Sequence, residues 1–331
     1  MMKKSLFPIL AVLALFASCE KVVEFDTTAS KAKPVLNAIP SAGKTLFVNY
    51  GNTRFFLDDN NEHPISNADI TITVNNTTLH PTGNSHCNYF FDYQLQEDDR
   101  LQIAITNPDG SRVSSSTYVP RLPRIDSVVS YIDTTQVFNV GIIQFNLHDY
   151  AGYPEYYHFA VQQRDSGCRY NEWTKKYDTV DTTYYTYFLC YTPQFTDPSV
   201  SQSEALGGYF YSDLLATDQL ADGQTVNANF LLMLLIDTNE VQPFLHQYTM
   251  IVESVTPDRF RYLKDVATAT SLTTVFAEPS QVYSNVDGAL GIFAGAAIRR
   301  YKLDIDPSIL RRDDNAASPR RHHSLPLPFH K

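Results

Sequence analysis

Asp69-Ile70-Thr71-Ile72-Thr73-Val74 places an apolar side chain at every second residue, and Leu101-Gln102-Ile103-Ala104-Ile105 repeats the pattern further on. A period of two sends one set of side chains into a core and the other into water, as in a half-buried β-strand. Working outward, 34–39, 45–50, 68–75, 87–94, 100–106 and 112–119 read as short strands. Asn107-Pro108-Asp109-Gly110 falls where a hairpin must close, and Asp58-Asp59-Asn60-Asn61 is a second turn sequence. Short strands at this spacing predict an immunoglobulin-like β-sandwich over residues 34–121. Pro120 and Pro123 bracket its exit, and the domain boundary is expected there.

A larger β-rich domain is expected over 122–305. Ile143, Phe145 and Leu147 alternate, as do Tyr157, Phe159 and Val161. Phe230 to Ile236 is apolar at every position, which predicts a central strand covered on both faces. Residues 247–255 give another strand. The period then changes. Thr256 can cap a helix, Pro257 suits the first helical position, and Phe260, Leu263, Val266 and Ala267 fall on one helical face. The expected fold is therefore mostly β, an N-terminal sandwich followed by a larger β-rich domain with one or few helices. Tyr 21 and Phe 20 against Met 4 and Trp 1 agree with β-rich chemistry. The formal charge of −10 argues against nucleic acid as a partner.

The N-terminus carries an address. Lys3 and Lys4 precede an apolar run from Leu6 to Phe16, interrupted only by Pro8 and too short to span a hydrocarbon core of roughly 30 Å. Ala17 and Ser18 then lead into Cys19, the layout of a bacterial lipoprotein signal, although Phe16 stands where leucine is usual. Residues 1–18 are expected to be removed and Cys19 to carry the lipid, with 19–33 as a stalk. Glu20, Lys21, Glu24 and Asp26 follow at once. This acidic cluster resembles the signal by which Bacteroidetes-type bacteria send lipoproteins to the outer face of the outer membrane. At the other end, Arg311, Arg312, Arg320, Arg321, His322 and His323 lie among Ser and Pro, so 306–331 is expected to be a disordered basic tail.

With Cys19 lipidated, Cys87, Cys168 and Cys190 remain. In an oxidising compartment Cys168 and Cys190 could close a loop, for about 3 kcal/mol; the alternative is three reduced thiols. Recognisable catalytic patterns are missing. Ser41-Ala42-Gly43-Lys44-Thr45 mimics the end of a phosphate loop, but Ala38 stands where its first glycine should be. The chain has no His-Glu-x-x-His and no Gly-x-Ser-x-Gly, and His148-Asp149 is too generic for a triad. His63, His80, His86 and Cys87 match no known metal spacing, and neighbours on a strand, such as 86 and 87, would face opposite ways. No metal or cofactor is expected. Trp173, Tyr177, Tyr184, Tyr185, Tyr187 and Tyr191 are the candidate ligand contacts, because Tyr and Trp bury area while keeping a polar tip. The competing reading places them in a sheet core.

Ala277-Glu278-Pro279, Val282-Tyr283-Ser284-Asn285-Val286 and Gly288-Ala289-Leu290-Gly291-Ile292-Phe293-Ala294-Gly295 form the most distinctive stretch. A Tyr-Ser-Asn-Val strand, a Gly-rich turn and a closing strand resemble the end of a lipoprotein family, the domain of unknown function 4249. Cys19-Glu20-Lys21, Val35-Leu36-Asn37-Ala38-Ile39 and the run from Pro64 to Ile72 resemble its earlier segments. The resemblance implies an accessory lipoprotein encoded beside an outer-membrane TonB-dependent receptor, and it carries over no catalytic residue. The expected function is that of a surface-exposed, non-enzymatic partner of such an uptake system. Two alternatives stay open: a free-standing glycan- or peptide-binding adhesin, and a surface hydrolase with an unrecognised site.

Overall fold

The computed structural model describes residues 32–53, 64–134, 140–186, 188–189, 201–202, 210–211, 213–218, 222–234, 240–270 and 282–307. Cys19, most of the stalk, the turn at 58–61, Tyr187, Cys190, Tyr191 and the basic tail lie outside the described residues.

The first strands are Pro34–Ala38 (β1), Thr45–Asn52 (β2), Asp69–Val74 (β3), Thr77–Leu79 (β4), Gly83–Ser85 (β5), Asn88–Gln94 (β6), Arg100–Thr106 (β7) and Arg112–Tyr118 (β8). They build two sheets, one containing β1-β2-β6-β5 and the other β4-β3-β7-β8. The alternation does what it promised. Ile70, Ile72 and Val74 of β3 and Leu101, Ile103 and Ile105 of β7 turn into one core with Leu36, Val48 and Phe91 from the facing sheet. Gly110 N–H donates to Asn107 O at 2.9 Å with φ +83° at Gly110, so the turn at 107–110 closes β7 onto β8.

The chain continues through Arg124–Asp133 (β9), Val140–His148 (β10), Tyr156–Asn171 (β11), Lys176–Tyr185 (β12), Phe188–Leu189 (β13), Ser201–Gln202 (β14), Phe210–Tyr211 (β15), Asp213–Thr217 (β16), Thr225–Met233 (β17) and Glu240–Val255 (β18). The helix Pro257–Thr270 (α1) follows, then Leu290–Phe293 (β19) and Ala296–Leu303 (β20). One sheet runs β15-β13-β17-β10-β9 and the other β14-β16-β11-β18-β20, with β12 on the far half of β11. Between them Phe145, Phe159 and Phe230 meet, with Phe230 edge-on to both partners at 5.1 Å. The helix begins where its cap predicts: Arg259 N–H donates to Thr256 Oγ1 at 3.4 Å, and Pro257 takes the first position.

Two expectations change. β17 is central, but its faces are unequal: Phe230 and Leu232 are fully buried, whereas Leu231 and Met233 only partly cover a small second cluster with Val140 and Ile142. The uniform apolar run hides a period of two, because Leu and Met sit comfortably on a half-covered face. The second change concerns the end of the chain. Residues 282–286 form no strand, and Asp287 makes one isolated bridge to Ser114. β19 then pairs in parallel with β1, setting Leu36 against Gly291 and Ala38 against Phe293. Val286 and Phe293 therefore pack in the first core, although they follow the boundary expected near residue 121. A parallel partner comes from a distant crossover, which reading strands in chain order does not reveal.

Candidate functional site

β11 is 16 residues long, and its distal half is flanked by β12 on one side and β18 on the other. The arm ends in a turn built by Asn171, whose Oδ1 accepts from Trp173 N–H at 3.0 Å and Thr174 N–H at 3.1 Å. Lys175 completes it at φ +54°. The turn holds Trp173 away from every core, 96% exposed. Tyr177 is 66% and Tyr185 49% exposed, and the Tyr170 and Tyr177 rings meet tilted at 58° with centres 5.2 Å apart. Tyr184 behaves differently. Its phenol donates to Asp165 Oδ2 at 2.7 Å, and Gln163 Nε2 and His246 Nδ1 lie 2.8 Å from Oδ1 of the same carboxyl. Burial pushes the Asp165 carboxyl up, but the hydrogen bonds from His246, Gln163 and Tyr184 outweigh it and hold it below the usual range. Trp173, Tyr177, Tyr184 and Tyr185 thus share one arm, with the Tyr184 hydroxyl tied to buried Asp165 while the residue stays 37% exposed. Cys168 is exposed on β11 opposite Thr179 and Val241; the pairing expected with Cys190 lies outside the described residues.

A second surface was missed from the sequence. On the outer face of β3-β7-β8, register places Thr73, Gln102 and Ser116 in one row and Thr71, Ala104 and Ser114 in the next. Apart from Gln102 these side chains are short, and all but Ala104 are polar, so the face is a low, mostly polar floor. Asp258 from the first turn of α1 rises at its edge with Asn285 and Asp287. Arg100, Tyr118, Arg121, Tyr153 and Pro154 continue the lining at the other end. Two depressions of about 460 and 790 Å³ share Gln102, Ser116 and Asp258 and make one trough. The available signal was the wet-face set of the alternating strands, together with the run Ser114-Ser115-Ser116.

Titratable groups gather elsewhere. His148 does not pair with Asp149. Its Nε2 lies 2.8 Å from Asp126 Oδ2 and its Nδ1 2.7 Å from Thr225 Oγ1, its cross-strand neighbour. Asp149 is buried, with its carboxyl beside those of Glu155 and Asp218; burial first, then Glu155, pushes it up to about 7. His158 sits between Asp213 at 2.8 Å and Glu253 at 3.2 Å, and Arg259 reaches Glu253 at 2.7 Å. His80 is exposed, while His86 and Cys87 occupy the turn between β5 and β6, not a strand, with His86 at φ +52° and Cys87 buried. No three or more His, Cys, Asp or Glu side chains among the described residues are grouped as a metal cage.

The distinctive stretch near the C-terminus is now explained by geometry. Asn285 Nδ2 donates to Phe293 O at 2.8 Å, and Asn285 Oδ1 accepts from Phe293 N–H at 3.0 Å. A family model described as domain of unknown function (DUF4249) matches residues 20–302. The chain belongs to the DUF4249 family. No curated protein matches it. In this DUF4249 chain Tyr283 and Asn285 both bond to Asp258, and Ser115 Oγ donates to Asn285 O at 2.8 Å. The Tyr-Ser-Asn-Val segment thereby ties α1, β8 and β19 together. Its residues work as a joint, and the exposed chemistry of this DUF4249 member lies on the arm and in the trough.

Proposed function

We propose that the mature protein is a lipid-anchored, non-enzymatic partner of a TonB-dependent uptake system at the outer face of the outer membrane. The observation that carries this reading is Trp173, 96% exposed at the hairpin tip of the arm formed by β11 and β12. A large aromatic held in water by a dedicated turn costs solvation in the isolated chain and gains it back when a partner covers it. Tyr177 adds ring surface and a hydroxyl tip beside the turn, while Tyr185 stands at the other end of β12, opposite Gln162. Support for the address comes from Cys19 after Ala17-Ser18 and from the acidic residues behind it.

Copurification from native membranes in mild detergent tests the docking. The wild-type chain is expected to bring down an outer-membrane receptor, and the double variant Trp173→Ala, Tyr177→Ala to lose it while folding normally. Growth on the transported nutrient should fall when the gene is deleted. No receptor and no uptake defect would favour the free-standing adhesin, for which the polar trough is the supporting observation.

A further inference from the structure

The geometry points to the trough on the outer face of β3-β7-β8 as a binding site for a neutral carbohydrate chain, an inference that goes beyond the docking role proposed above. Size comes first. Depressions of about 460 and 790 Å³ that share three lining residues fall in the range of small-ligand sites, about 300–1,000 Å³. The floor comes second. Thr73, Gln102 and Ser116 in one registered row, with Thr71 and Ser114 beside them, present hydroxyls and an amide at strand spacing. Thr71 Oγ1 donates to Ala104 O and Thr73 Oγ1 bonds to Thr78, while Gln102, Ser114 and Ser116 can both donate and accept, which matches the vicinal hydroxyls of a sugar.

The lining also excludes other ligands. Leu101 and Ile103 turn their side chains into the core, 1% and 2% exposed, so they offer the trough only backbone. Tyr118, Tyr153 and Pro154 supply apolar surface at one end, suited to the ring face of a sugar. Charge speaks against a polyanion: Arg121 Nε donates to Asp98 Oδ2 at 3.1 Å, leaving Asp258 and Asp287 against Arg100. At one end Tyr153 is 38% exposed, with the Arg121 guanidinium 5.2 Å from its ring centre. A ring fixed in this way is a platform for the C–H face of a sugar, and the polar floor reads the hydroxyls.

Titration calorimetry of the purified full chain in detergent micelles, against cellohexaose, maltohexaose and mannohexaose, tests the site. Binding of at least one is expected. Two variants that raise the floor, Ser116→Trp and Ala104→Trp, are each expected to weaken it at least tenfold with the melting temperature unchanged; both positions are exposed. Absence of binding to all three sugars, or affinity that survives both plugs in folded protein, would overturn the inference. No receptor is present in this measurement, so a negative result counts against the trough alone. Loss of receptor capture by the arm variants counts separately against the docking role.

Discussion

Tyr283 donates its phenol to Asp258 Oδ1 across 2.6 Å, tying the segment after the helix to the first turn of the helix itself. Asp258 also accepts from Asn285 at 3.2 Å, and its carboxylate sits at the positive end of the α1 dipole. The Arg261 guanidinium lies 4.4 Å above the Tyr283 ring and closes the cluster from the next turn. This joint carries β19 to its place beside β1 and sets one wall of the trough.

Asn285 satisfies three groups at once: Phe293 N–H, Phe293 O and Asp258. Asn285→Ala removes these bonds and leaves the Phe293 backbone groups without their side-chain partner. A loss of about 3 kcal/mol is expected from the cost of unpaired polar groups. The urea midpoint, measured at constant slope, reads it directly.

Gly295 and Gly291 stand where no side chain fits. A Cβ on Gly295 would lie 1.8 Å from Tyr118 O, and one on Gly291, at φ +108°, would lie 2.1 Å from Leu36 O. Gly295→Ala should cost several kcal/mol, because backbone on both sides must move. Gly152→Ala is the comparison: it has a positive φ, +74°, which Gly295 does not, but nothing lies within 4 Å of its added methyl. About 1 kcal/mol is expected there. Equal losses at the two sites would refute the close-packing account.

His158 gives the fold an alkaline limit. Burial lowers its proton affinity, but Asp213 and Glu253 overcome that and raise the imidazole to about 9. A folded value above the unfolded 6.5 means the stabilisation is complete below about pH 6.5 and disappears as pH rises through about 9. Glu253, held at about 2 against its own burial, gives stability that is present above about 4.5 and lost as pH falls through 2. Thermal unfolding between pH 6 and 10 should therefore show a steep decline in the wild type. His158→Gln should be less stable at pH 6 and show a flatter curve over that window.

Asp149 works in the same direction at lower pH. Its carboxyl is raised from 3.8 to about 7 by burial and by Glu155, with Asp218 raised to about 6 beside it. The folded state holds the proton more tightly, so stability is lost as pH rises from about 4 to 7. Asp149→Asn keeps an acceptor for Gly223 N–H, which Asp149 Oδ2 receives at 2.6 Å, and removes the charge. The variant should match or exceed the wild type at pH 8 and lose that advantage at pH 4. Stability that is lower at pH 8 than at pH 4 relative to wild type would count against the raised Asp149 carboxyl.

Cys19→Ala addresses the anchor. The variant is expected to accumulate as uncleaved precursor without an acyl mass, read by intact-protein mass spectrometry. A mature, acylated product from the variant would remove Cys19 from the proposal.

Local signals in the sequence determined a good part of this protein. The alternation at 69–74 and 100–106, the turn at 107–110 and the start of the helix at Thr256-Pro257 are written within a few residues, because strand period, turn geometry and capping depend on near neighbours. Tertiary structure decided the rest. Phe293 joins the first core only through a parallel pairing with β1, a contact between chain ends that no local period encodes. Tyr184 and Tyr185 are adjacent and chemically alike, and both stay exposed, at 37% and 49%, yet the fold brings the buried Asp165 carboxyl to the Tyr184 hydroxyl. The wet-face residues Thr73, Gln102 and Ser116 read as ordinary surface in sequence. They become a trough floor only when α1 and the Asn285 joint, held by Asp258, supply its wall.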